Sequence, residues 1–145
     1  MSDKFFVDHR ATLQFNVPGA MAIGTSKALQ AVPFAGKIVR LFAKVRVAGI
    51  QGSGGTTLPT IDLHKNGTSL VGGTLATFLT TATAATYGAG VTGNLLVAQG
   101  DILVLDIDAI FNGTSPTQPI DLVVVAVIER QSAFGVATGK IQRGL

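Results

Sequence analysis

The chain has 145 residues, 47% of them hydrophobic and 13% charged, with a formal net charge of +3 and no cysteine. This balance excludes intrinsic disorder, which needs low hydrophobicity and high charge, and it excludes a disulfide framework, a thiolate zinc site and a cysteine nucleophile. The charged share is half of the roughly 25% found in an average globular domain, so few charges remain to coat a surface and cover by other molecules is expected.

The start, Met1 to Arg10, lacks the apolar core of a secretory signal, and no apolar run reaches the roughly 18 residues of a membrane helix. Neither secretion nor a membrane partner is expected. The net charge is too small and too scattered to make nucleic acid the expected partner. Eighteen glycines, with many threonines and valines, favour strands and turns over helices.

Residues 1–10 read as an N-terminal arm carrying Phe5 and Phe6. Over 11–17, Leu13, Phe15 and Val17 alternate with polar residues, which predicts a half-buried strand closed by Pro18-Gly19. Residues 20–34 show no sustained period and predict irregular chain with at most a short strand. Residues 36–48 alternate strictly, Val39, Leu41, Ala43, Val45 and Val47 against Ile38, Arg40, Phe42, Lys44 and Arg46. A period of two is a strand. Gln51 to Gly55 contains three glycines and predicts a flexible loop.

Ile61 and Leu63 alternate with Asp62 and His64, and Asn66-Gly67 follows before Thr68 to Val71. Asn-Gly between two short strand runs predicts a hairpin, because its turn needs φ > 0 at both central positions. Residues 74–87 hold six β-branched threonines and predict one strand. Leu95 to Ala98 leads into the turn Gln99-Gly100-Asp101. Residues 102–110 predict a strand with Leu103, Leu105 and Ile107 opposing Val104, Asp106 and Asp108. Residues 119–130 predict another, and its run from Leu122 to Ile128 suggests burial on both faces. The end, 131–145, reads as a C-terminal arm with Phe134, Ile141 and Arg143. The predicted organisation is an antiparallel β-sandwich of about eight strands over 11–130 between two arms.

Catalytic candidates are few. The histidines are His9 and His64, and Asp62 lies on the same strand face as His64, within reach. A surface strand pair explains them without catalysis, and no enzyme is expected. Asp101, Asp106, Asp108 and Asp121 form an acidic group of the oxygen ligands calcium uses, but without a loop of closely spaced ligands. A solvated strand face, or pairing with Arg40, Lys44 and Arg46, is the simpler account. The three cations with Phe42 between them suit an acidic protein partner better than a nucleic acid. Asn66-Gly67-Thr68 and Asn112-Gly113-Thr114 fit the glycosylation sequon, yet both are explained as turns. No phosphate loop, metal or other cofactor site is expected.

Four motifs recur in one order: Pro33 to Val39, Asp62 to Leu70, Val97 to Asp108, and Pro119 to Val124. Over roughly residues 33–130 this order resembles small jelly-roll-like proteins of tailed bacteriophage virions, above all head decoration, or cement, proteins. The resemblance implies a homotrimer, or a dimer, bound to the major capsid protein on the outside of the shell and made in the host cytoplasm. It carries over no catalytic set. Contact residues expected for that role are Phe5, Phe6, Arg40, Lys44, Arg46, Phe134, Ile141 and Arg143. The alternative is a head- or tail-fibre module recognising host carbohydrate, against which the absence of tryptophan and the single tyrosine count.

Overall fold

A computed structural model describes residues 10–87 and 95–130. Among them are ten strands and no helix: β1 (Arg10–Ala20), β2 (Gly24–Ala31), β3 (Gly36–Val47), β4 (Thr60–Lys65), β5 (Thr68–Ser69), β6 (Ala76–Thr77), β7 (Thr86–Tyr87), β8 (Leu95–Val97), β9 (Ile102–Ala109) and β10 (Ile120–Arg130). They form a four-stranded sheet in the order β1-β10-β3-β8 and a six-stranded sheet in the order β2-β9-β4-β6-β7, with β5 on β4.

The order follows a simple rule. β1 pairs with β10, β2 with β9, β3 with β8, and β4 with β5 and β6, every pair antiparallel. The chain is one long antiparallel ribbon, folded back after β4. Rolling that ribbon brings β10 onto β3 and β9 onto β4. This is the jelly-roll form of a β-sandwich, as the sequence predicts.

Alternation along each strand fills the space between the sheets. Phe15 of β1 and Leu122, Val124, Ala126 and Ile128 of β10 face Ile61 and Leu63 of β4 and Leu103, Leu105 and Ile107 of β9, all buried. Each large apolar side chain so buried contributes about 1.5–3 kcal/mol. Met21, Val32 and Phe78 from the connections are buried in the same core.

Several elements depart from the expected pattern. In β3, Ile128 of β10 faces Ile38 and Val127 faces Arg40, so Val39 is an extra residue. A bulge reverses the facing of everything beyond it. Ile38 therefore joins Ala43 and Val45 in the core, while Val47 is exposed. In β10 only one face is buried. Val123, Val125 and Val127 are half-exposed on the outer face, because no second layer covers that sheet among the described residues. Within 20–34, Gly24–Ala31 is a true strand, held by β9 despite its weak period.

The threonine-rich stretch 74–87 is not one strand. It makes the two-residue strands β6 and β7, and the chain between them crosses to the edge of the other sheet. There Val45 N–H donates to Thr83 O at 2.9 Å and Ala85 N–H to Ala43 O at 3.1 Å. The loop at 51–55 is clamped rather than flexible. Gly52 N–H donates to Asn112 O at 3.0 Å, and the Asn112 side-chain oxygen accepts Thr56 and Thr57 N–H at 2.8 Å each. A Cβ on Gly55 would sit 2.2 Å from Asn112 O, so glycine serves close backbone approach here. The two expected arms, but for Arg10 in β1, lie outside the described residues.

Candidate functional site

The clearest polar constellation sits on the outer face of the six-stranded sheet. Its register is set by the β4–β5 hairpin. Asn66 and Gly67 have φ of 49° and 91°, the left-handed pair that Asn-Gly predicts. Asn66 also fixes β9: its side-chain amide donates to Asp101 Oδ1 and its oxygen accepts Ile102 N–H, both at 2.9 Å. With β4 and β9 so aligned, Asp62 lies directly opposite Asp106.

Like charges opposite each other on adjacent strands repel. His64, two residues along β4 on the same face, lies between them. Its Nδ1 is 2.9 Å from Asp106 Oδ2 and its Nε2 is 3.3 Å from Asp62 Oδ2. The expected Asp62–His64 proximity is real, but the expected surface setting is not. Asp62 and Asp106 are only 4% and 6% exposed.

Two flanking segments account for that burial. On one side, β2 slips its pairing between Gly24 and Ala28, and Ser26 takes φ of 55°. The freed Ser26 N–H donates to Asp106 Oδ1 at 2.7 Å. On the other side, Asp62 Oδ1 accepts Leu63 N–H at 2.8 Å and the Ser69 hydroxyl at 3.0 Å. Ser69 Oγ in turn accepts Gly73 N–H at 2.9 Å. Asp108, further along β9, is exposed. Partial burial pushes its carboxyl above the ordinary range, and the charges of Asp62 and Asp106 push the same way against the pull of His64.

The geometry limits the chemistry. Both imidazole nitrogens face carboxylates, so neither is left to take a proton from a nucleophile. Ser69, paired with His64 across the β4–β5 hairpin, turns its hydroxyl to Asp62 instead. Among the described residues no group of three or more histidines, cysteines or carboxylates is arranged to hold a metal ion.

The other expected acids do not join this cluster. Asp101 stays at the hairpin end, its carboxyl held below the ordinary range by the Ala98 amide and then by Asn66. Asp121 lies in the opposite sheet. Its carboxylate accepts Gly19 N–H at 2.7 Å and pairs with Arg46 at 2.7 Å, which together hold it low. The expected pairing of acids with the β3 cations is thus true of Arg46 alone.

Arg40 and Lys44 instead flank an apolar strip on the outer face of the four-stranded sheet. Pairing with β10 sets Arg40 beside Val127, Phe42 beside Val125 and Lys44 beside Val123. On the far side of β10 stand Thr12, Gln14 and Asn16 of β1. The Arg40 guanidinium sits 5.8 Å from the centre of the Phe42 ring, and Phe42 is 37% exposed. Neither Arg40 nor Lys44 pairs with a carboxylate among the described residues. The other expected contact residues, Phe5, Phe6, Phe134, Ile141 and Arg143, and also His9, lie outside the described residues.

Sequence reasoning missed Ser26, Ser69 and the three outward valines. The valines carried a signal in their strict spacing, once one face of β10 is known to be the core. Ser26 carried none, because its role comes from a bulge that tertiary pairing creates. No family model, curated protein or solved structure matches the chain.

Proposed function

We propose that the protein is a structural subunit of a virion, a head decoration protein that binds the outside of a bacteriophage capsid and bridges neighbouring capsomers. The observation that carries this reading is the outer face of the four-stranded sheet. An antiparallel sheet face open to water is normally polar. Here its central strand turns Val123, Val125 and Val127 outward beside Phe42, with Arg40 and Lys44 at the margin. β10 is hydrogen-bonded on both sides, so these groups are presented on a rigid lattice.

Such a surface suits an acidic protein face with apolar side chains between its carboxylates. Apolar contact would supply the affinity, and the cations would set register and encounter rate. The partner in this reading is the major capsid protein, and the subunit is a homotrimer. A jelly-roll body is a scaffold that viral capsid proteins use, which supports the reading by analogy. The low charge of the chain supports it as well.

The test is size-exclusion chromatography with light scattering, run on the protein alone and with emptied phage heads stripped of it. The expected result is an oligomer alone and co-elution with the heads. A monomer that never enters the head fraction contradicts the proposal.

A further inference from the structure

We infer that Asp62, His64 and Asp106 form a proton-operated clasp, which fastens the bulge of edge strand β2 and the 69–73 turn to the six-stranded sheet. The inference stands on the geometry of this face and does not depend on the proposed function.

The imidazole lies between two buried carboxylates, with one ring nitrogen 2.9 Å from Asp106 and the other 3.3 Å from Asp62. A neutral imidazole has one N–H and one lone pair. In that form one of the two contacts sets a lone pair against a carboxylate oxygen. Only the imidazolium offers a proton to both.

Charge count gives the same answer. Asp62, Asp106 and Asp108 bring three negative charges to this face. Among the described residues no lysine or arginine forms an ion pair with Asp62, Asp106 or Asp108. Lys27, within the β2 bulge, lies along Gly24, where its Cε is 2.8 Å from the position a Cβ would take. Lys65 Nζ reaches Leu96 O at 3.1 Å. From β5 and β2 the cluster receives only the neutral donors Ser69 Oγ and Ser26 N–H. Without the His64 proton, opposed carboxylates face each other with no cation between them.

Both carboxylates hold a segment in place. Asp106 takes the N–H that β2 cannot give to β9, because the ladder skips residues 25–27. Asp62 holds Ser69, and Ser69 holds Gly73. As pH rises and the ring loses its proton, the carboxylates are driven toward water and release the bulge and the turn. Among the described residues β2 pairs with β9 alone, so it becomes a loosened edge, able to accept a neighbouring strand. The clasp is closed while the ring offers an N–H to each carboxylate and opens when one of the two is lost.

The test combines two measurements on the full chain. Long-range 1H–15N correlation of the ring nitrogens from about pH 5 to pH 9 reports the charge of His64, with His9→Gln used to assign the two histidines. Amide exchange over the same range reports residues 24–31 and 69–73. The expected result is an imidazolium at low pH. Once it deprotonates, exchange in those two segments accelerates about tenfold beyond its intrinsic pH dependence, while β10 does not change. His64→Gln should exchange fast in both segments at every pH. A ring that stays neutral throughout overturns the clasp, as do amides that follow only the intrinsic dependence. The native titration decides the matter even if the variant does not fold.

Discussion

On the outer face of the four-stranded sheet, β10 turns valines outward, and β3 turns out Arg40 and Lys44, which have no carboxylate partner among the described residues. On the outer face of the six-stranded sheet, β9 and β4 send out carboxylates that the fold covers and bridges with a histidine. Both faces obey the same alternation of two. What differs is the neighbouring chain. A bulge and a turn close over the second face, and among the described residues no such segment closes over the first. An outward charge under local cover becomes part of the protein's own stability. An outward apolar strip without cover is a surface for something else.

The largest expected effect breaks the covered face. Asp106→Ala leaves Ser26 N–H without an acceptor and His64 facing one carboxylate, so stability should fall by about 2–3 kcal/mol. Urea denaturation measures this, and a loss below about 0.5 kcal/mol would show the cluster to be ornamental.

The uncovered face should respond in the opposite sense. Arg40→Glu with Lys44→Glu should change stability by no more than about 0.5 kcal/mol, yet weaken binding to phage heads strongly. Smaller effects separate the roles of the acids. Asp108 has a raised carboxyl, so its charged form disfavours the folded state once pH exceeds its ordinary range. Asp108→Asn should therefore raise the melting temperature slightly near neutral pH, with the gain vanishing in acid, where wild type is protonated too. Asp121 has a lowered carboxyl, so its contribution is present above the ordinary aspartate range and is lost as pH falls through the lower folded value. Asp121→Asn should lower the melting temperature slightly at neutral pH and match wild type in strong acid.

How much of this was legible depended on the range of the interaction. Alternation in β1, β4 and β9 and the Asn66-Gly67 turn are local, and they predicted the sandwich directly, whereas the apolar run of β10 predicted a strand but not that one of its faces is open. The bulge at Val39 is not local. It exists because β10 pairs with β3 in a shifted register, and it carried Ile38 from the expected cationic face into the core. The same limit hid the site. Asp62 and His64 were visible as a pair, but Asp106 joins them only through the β4–β9 pairing and Ser26 only through the β2 slip. Threonine content predicted one strand for 74–87, where only Ala76–Thr77 and Thr86–Tyr87 are strands and the chain turns between them. It could not show that this chain divides between the two sheets.

The central claim is that the uncovered valine and cation face is the docking surface. The most direct measurement is co-sedimentation of the Arg40→Glu, Lys44→Glu variant with emptied phage heads, beside wild type and Asp108→Asn. Wild type and Asp108→Asn should sediment with the heads, while the charge-reversed variant stays in solution with its melting temperature unchanged. Equal sedimentation of all three proteins would contradict it.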